Sequence, residues 1–420
     1  MKKIVIGILS ILLIAAGKDV YAKDTMYSLN KYDEENLEYI LKSRPEEDNY
    51  VVAGTIKEKE QQEAMVVKYS KQGTVKWTFS YGKMNTELSG ITYIYDESNH
   101  INGYLILVEE GEEPIFLTID LDGKLLQEKS AQLGIDTDIE KMISLEEEGF
   151  LLVGEKNNHA FLKKYDRYLN EIWTREYQEE NTNIKDIIYF NNSYYSVLEK
   201  EDVYRILKYD INGNEIKEIT TNFKNTEEPH LISSDDSYLV YGETQDVKLS
   251  NNKIGSFYLV KFNKEDIEEW ETIGNTPVKK DEKIKVQEVK KEDTSSYYVM
   301  TTNQEDNSIE VVQIDADGVI KEKVKKLKNE YFEIEDFYFS KENIYFVGHI
   351  DCPEDDSCEY DENSLFLVST EDKVIEVKDN DSKNILIVTA IIVIATLFAY
   401  IIRKKRKLEK KKHYFLFLCL

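Results

Sequence analysis

One short pattern recurs seven times along this chain: an aromatic or apolar residue, three more mostly apolar residues, and often a glycine. It reads Tyr50-Val-Val-Ala-Gly54, Tyr104-Leu-Ile-Leu-Val108, Phe150-Leu-Leu-Val-Gly154 and Tyr194-Tyr-Ser-Val-Leu198, then Tyr238-Leu-Val-Tyr-Gly242, Tyr297-Tyr-Val-Met-Thr301 and Ile344-Tyr-Phe-Val-Gly348. Successive copies begin 54, 46, 44, 44, 59 and 47 residues apart. A unit of this length is one supersecondary element that must stack on its neighbours to bury its faces.

Each unit can be read strand by strand. Short runs of Tyr, Val, Ile, Leu and Phe are strand formers. A second apolar run follows each anchor, as in Val66-Val-Lys-Tyr-Ser70, Leu162-Lys-Lys-Tyr-Asp166 and Leu207-Lys-Tyr-Asp210, with Leu367-Val-Ser-Thr370 a degraded seventh. Near-continuous apolar strands fit a sheet covered on both faces. Asp120-Leu-Asp-Gly123, Asp210-Ile-Asn-Gly213 and Asp315-Ala-Asp-Gly318 then supply hairpin turns. Beyond the turn the pattern alternates, as in Glu215-Ile-Lys-Glu-Ile219, which suits a half-exposed outer strand. A further strand precedes each anchor, for example Ile184 to Phe190. Four antiparallel strands per unit of 45 to 55 residues is the size of a propeller blade. The expected fold is therefore all-β, a seven-bladed β-propeller, with six or eight blades as alternatives. Separate sandwiches would need about 100 residues per period. The segment Tyr27-Ser-Leu-Asn-Lys-Tyr-Asp33 is expected to pair with the last blade and cover its open edge.

The fullest copies of the turn region are Lys68 to Trp77, Lys164 to Trp173 and Lys261 to Trp270. Their motif, Lys-Tyr-Asp-x-x-Gly-x-Ile-x-Trp, resembles the repeats of bacterial surface propellers of the quinoprotein-like (PQQ-like) type across nearly the whole repeat region. The resemblance implies a propeller. The Thr-Gly pair and the vicinal cysteines of true quinoproteins are absent, so no quinone cofactor is expected. Trp77, Trp173 and Trp270 are expected to pack blade against blade.

The two ends carry different signals. Lys2 and Lys3, the apolar run Ile4 to Ala16, and Val20 and Ala22 at an A-x-A-like site form a secretory signal, with cleavage expected after Ala22. Ile385 to Ile402 contains no charge in 18 residues and is followed by Arg403-Lys-Lys-Arg-Lys407. That length and flank suggest one transmembrane helix with a cytoplasmic tail. The expected layout is a signal peptide at 1–22, an ectodomain at 23–383, a helix at 384–402 and a basic tail at 403–420, which is a single-pass type I protein of the cell membrane.

The whole chain has 54 basic and 81 acidic residues and a net charge of -27. The ectodomain alone holds 43 basic and 79 acidic residues, a net charge of about -36. That charge argues against nucleic acid and for cations or basic partners outside the cell.

Chemical motifs are sparse. The histidines at 100, 159, 230 and 349 are isolated, and no Cys-x-x-Cys, G-x-S-x-G, P-loop or G-x-G-x-x-G is present. Asp120-Leu-Asp122-Gly and Asp315-Ala-Asp317-Gly begin like a calcium loop but lack its later ligands, so calcium is a minor alternative to plain hairpins. The segment Asp351 to Glu362 holds Cys352 and Cys358, with five residues between them, in a setting that permits a disulfide. It is either a clamped hairpin tip or an acidic contact for a cation or basic partner. Together these features lead to a membrane-anchored cell-surface binding protein taking an extracellular protein or glycan. An extracellular carboxylate-dependent glycan hydrolase or lyase, and a scaffold for assembly of a membrane complex, are the alternatives.

Overall fold

The computed structural model describes residues 25–27 and most of 34–376. Residues 1–24, 28–33 and 377–420 lie outside it, as do several internal segments, the longest being 245–256, 274–283 and 351–363. Ala22, Cys352, Cys358 and the run 384–402 therefore fall outside the described residues. The chain divides into two units, 1–374 and 375–420. In the second, only the short strand Ile375–Glu376 is described. Among the described residues no helix is long and apolar enough to cross a membrane.

The first unit is all-β, built of antiparallel sheets. Sheet 1 spans 34–81, sheet 2 spans 86–130, sheet 3 spans 137–176 and sheet 4 spans 182–219; sheets 5, 6 and 7 span 226–273, 284–328 and 332–370. In sheets 1 to 6 four strands follow one another in chain order. The second strands are the anchors of the repeat, and they are where the core lies. Leu151, Leu152 and Val153 are buried, as are Leu105, Ile106 and Leu107. Each such side chain contributes about 1.5–3 kcal/mol on leaving water.

Every sheet packs against the next, and the seventh packs against the first. The first strands of most successive sheets lie against each other and form a hub. At the closing seam the ring of Tyr50 lies 3.9 Å from that of Tyr345. Val52, Met65 and Val347 share the same buried cluster. The Ile40 N–H also donates to Asp336 Oδ2 at 3.1 Å. This arrangement of stacked four-stranded sheets is consistent with a β-propeller-like fold.

Sheet 7 obtains its fourth strand from the other end of the chain. Thr25–Tyr27 pairs antiparallel with Ser364–Thr370, placing Met26 opposite Leu367. The remainder of the segment expected to close the ring, 28–33, lies outside the described residues.

The seams away from the hub follow a two-sheet rhythm. Trp77, Trp173 and Trp270 stand on the fourth strands of sheets 1, 3 and 5. Each lies over the glycine of the hairpin between the third and fourth strands of the next sheet. A Cβ added to Gly123 would come within 2.7 Å of Trp77, on Gly213 within 2.8 Å of Trp173, and on Gly318 within 2.7 Å of Trp270. Those glycines have φ near +75°, at 79°, 74° and 79°, a region that also favours glycine. Trp77 Nε1 donates to Leu121 O at 3.0 Å and Trp270 Nε1 to Ala316 O at 2.8 Å.

Sheets 3 and 5 receive no tryptophan, and at the same turn position they hold side chains. Leu169 (φ 62°) is buried beside Phe116 and Tyr165. Asp266 (φ 60°) accepts from Lys208 at 2.8 Å, Lys217 at 2.9 Å and the Tyr195 hydroxyl at 2.7 Å.

Candidate functional site

A strand buried on both faces has little room for charge, yet the hub strands carry it in pairs. Leu37-Glu38-Tyr39-Ile40, Ile139-Glu140-Lys141-Met142, Ile184-Lys185-Asp186-Ile187 and Ile334-Glu335-Asp336-Phe337 each set two polar or amphipathic residues inside an apolar run. Strict alternation would drive one of the two into the core. The strands bulge instead. In all seven sheets the register between the first and second strands shifts at this point: Leu37/Tyr39, Leu88/Gly90, Ile139/Lys141, Ile184/Asp186, Glu227/His230, Val286/Glu288 and Ile334/Asp336. A bulge re-aims side chains and recurs near functional sites.

The residue just past the bulge bridges adjacent sheets. Asp186 of sheet 4, 3% exposed, accepts from Lys141 Nζ of sheet 3 at 2.5 Å. On its other side it faces His230 Nδ1 of sheet 5 at 3.6 Å. The backbone N–H of Leu231 donates to Oδ2 at 2.7 Å and that of Ile187 to Oδ1 at 2.6 Å. Burial works to raise the Asp186 pKa, but Lys141 and His230 overcome it and hold the carboxyl down at about 2. Asp336 repeats the device in sheet 7 with Ile40 and with its own neighbour, Phe337 N–H, at 2.7 Å. The equivalent residue in sheet 1 meets the opposite environment through its neighbour Glu38. Burial first, then the nearby Glu335 and Glu87, push the Glu38 carboxyl up to about 7.

The extra residues of the bulges in sheets 3 and 4 make a second pair. Lys185 Nζ reaches Glu140 Oε1 at 2.6 Å and Glu199 Oε2 at 3.5 Å. Asn183 Nδ2 donates to the same Glu140 oxygen at 2.6 Å. Burial works against the charged ammonium, but Glu140 and Glu199 raise the Lys185 pKa above its ordinary value.

Beside this pair a hollow of about 570 Å³ opens between the start of sheet 3's first strand and its second hairpin, lined by Asp136, Thr137, Asp138, Glu155, Asn157 and Asn158. A second hollow, of about 300 Å³, shares Glu155 and Asn158 and adds Asn181, Asn183, Lys185, Glu199 and Glu201 from sheet 4. The two form an open cleft of carboxylates and carboxamides around one ammonium. Such a lining hydrogen-bonds hydroxyl groups and attracts cationic side chains.

The residues singled out from the sequence lie elsewhere. The tryptophans sit on the outer seams described above. The Asp120 and Asp315 turns use Oδ1 to accept their own backbone N–H groups two and four residues on, at 2.8–3.1 Å. Among the described residues no three His, Cys, Asp or Glu side chains converge as metal ligands do. The cleft and the bulge ring escaped sequence reasoning, although the paired polar residues inside apolar strands were a readable sign. No protein-family model matches the chain, and no curated protein matches it.

Proposed function

We propose that this chain is a membrane-anchored cell-surface binding protein, with its seven sheets acting as the blades of a β-propeller and 384–402 as the anchor. The observation that supports this most directly is the open acidic cleft over sheets 3 and 4, seated on the Glu140–Lys185–Glu199 cluster. An open cleft lined by several carboxylates and carboxamides suits recognition of an extended ligand better than chemistry on an enclosed one. The ligand favoured by its charge is a basic segment of an extracellular protein. The test is photo-crosslinking on intact cells from a probe at Asn158. Capture of a defined partner, lost in Glu155→Gln/Glu199→Gln, is the expected result.

One observation favours a second reading, a glycan hydrolase or lyase. Burial, with Glu335 and Glu87 nearby, pushes the Glu38 carboxyl up to about 7, and a carboxyl that keeps its proton near neutral pH suits a general acid. Absence of any captured partner, together with glycan turnover abolished by Glu38→Gln, would establish that reading instead.

A further inference from the structure

Ten of the eleven large hydrophobic side chains that stand exposed among the described residues lie in one place. That place is the hairpin between third and fourth strands and the opening residues of the fourth. It recurs sheet by sheet: Val75, Leu126, Ile172, Ile216, Ile267 and Ile320 represent sheets 1 to 6 in turn, each four to six residues past the start of its turn. Leu126, Ile216 and Ile267 are 60%, 54% and 60% exposed. The positions are neighbouring rather than identical, but exposed apolar side chains at the same end of six consecutive sheets make a belt along one rim of the ring. Exposed apolar surface of this extent marks a contact surface.

The path of the chain indicates what the belt meets. The third strand of sheet 7, Ser364–Thr370, runs in the same sense as every other third strand, with Thr370 opposite Asn343. It therefore ends at this rim. The fourth strand there is Thr25–Tyr27, and Thr370 is the last residue of this third strand. Fourteen residues, 371–384, lie between Thr370 and the uncharged run 385–402. Fully extended, that stretch reaches at most about 50 Å.

We propose that this rim is a membrane-docking surface, its apolar belt resting in the interface of the bilayer that holds the 385–402 run. The inference rests on the anchored reading given above. Lys76, Lys124, Lys217 and Lys321 adjoin the belt, and acids outnumber them, among them Asp122, Glu171, Glu215, Glu265, Glu268 and Asp317. The mixed charge leaves apolar area as the driving force, as in interfacial elements that bury one face in the headgroup boundary. Neutral lipid is therefore the preferred surface. The cleft over sheets 3 and 4 opens near the hairpins between second and third strands, at the other ends of these strands, and stays accessible.

The chain carries its own probe. Its 3 tryptophans are Trp77, Trp173 and Trp270, all on the fourth strands that bear the belt. The full-length protein is reconstituted into phosphatidylcholine vesicles containing lipid brominated either near the glycerol or deep in the acyl chains, with and without phosphatidylglycerol. Flotation of the vesicles scores anchoring separately. The expected result is quenching of tryptophan emission by the shallow bromines, without need of phosphatidylglycerol, and loss of that quenching in Leu126→Glu/Ile172→Glu/Ile216→Glu/Ile267→Glu. These side chains are exposed, so the variant should keep the wild-type thermal transition in detergent and should still float.

A wild-type chain that floats without quenching overturns the docking and leaves the anchor standing. A chain that does not float removes both. Equal quenching in the variant, or quenching that needs phosphatidylglycerol and fades with salt, overturns the apolar belt as the cause. Concentration-dependent dimerisation that disappears in the variant, with no quenching, reassigns the belt to a second copy of the chain.

Discussion

The hub and the outer seams join the same pairs of sheets by opposite means. At the outer seams the joint is generic. A tryptophan lies over a glycine in three of the steps, and a filled turn position, Leu169 or Asp266, replaces it in two others. At the hub each step is individual: Asp186 between a lysine and a histidine, Asp336 on a backbone N–H, Glu38 among other carboxylates. Every hub strand shares the bulge, but what stands on it changes from sheet to sheet. The repeat is kept where it only has to hold the ring together and is given up where the chain faces the hub. Specific chemistry in a repeat architecture belongs to the positions that have stopped repeating.

The comparison breaks most visibly at Asp186. Asp186→Ala leaves Lys141 and His230 without their shared carboxylate and the Leu231 N–H without an acceptor, and should cost about 3–5 kcal/mol. Denaturant titration would show it. The wild-type carboxyl has its pKa lowered on folding, so its contribution is present above about pH 4 and is lost as pH falls toward 2. The variant's stability should fall less steeply over that interval, since only the other carboxylates remain to titrate; a slope as steep as wild type would place the charge coupling elsewhere.

At the outer seam a reciprocal pair separates the two kinds of turn. Gly318→Ala puts a methyl group against Trp270 at positive φ and should cost about 1–3 kcal/mol. Leu169→Ala, at the same turn position in sheet 3, removes packing instead and should cost about 2–4 kcal/mol. If the alanine were neutral at 318, the tryptophan would not be what demands the glycine. Thermal melts of both variants decide it.

Glu38→Gln probes the acidic side of the hub. The folded-state pKa is raised to about 7. The Glu38 contribution to wild-type stability therefore declines as pH climbs from about 4.5 to 7, where the unfolded carboxyl is ionised and the folded one resists ionising. The glutamine variant should match wild type at pH 4.5 and exceed it at pH 8. Solvent screening reduces the gain to a fraction of the roughly 3 kcal/mol that such a shift represents. Melting curves at the two pH values are sufficient.

The smallest expected effect is Trp270→Phe, which keeps the stacked ring but loses the hydrogen bond to Ala316 O, costing about 1 kcal/mol. It should also abolish one third of the rim's fluorescent reporters without altering the belt.

Much of the fold was legible because its physics is local. The anchors Phe150 to Gly154 and Tyr194 to Leu198 became second strands. The Asp-x-Asx-Gly turns became hairpins whose aspartate binds its own backbone. The Trp motif marked the outer strands but not their target, because the glycine it covers lies in the next repeat, some 45 residues on. The hub was harder. Adjacent polar residues such as Lys185-Asp186 break the strand alternation, and a bulge is the backbone's answer to that. That Lys141, Asp186 and His230 would meet depends on how three sheets stack around the hub, which no single repeat encodes. The cleft is more remote still: Glu155 and Glu199 occupy ordinary hairpin positions in their own sheets.

The splice of Thr25–Tyr27 onto Ser364–Thr370 has a kinetic consequence. Apart from the two-residue strand Ile375–Glu376, the other strands pair with neighbours in the chain and can form early, sheet by sheet. This one must wait for two segments more than 300 residues apart to meet, the costliest contact to reach in the molecule. Sheets 1 to 6 are thus expected to assemble as an open arc, and the ring locks only in its final step. Until then the third strand of sheet 7 presents a bare edge, and the half-built arc is the species most exposed to pairing with another chain.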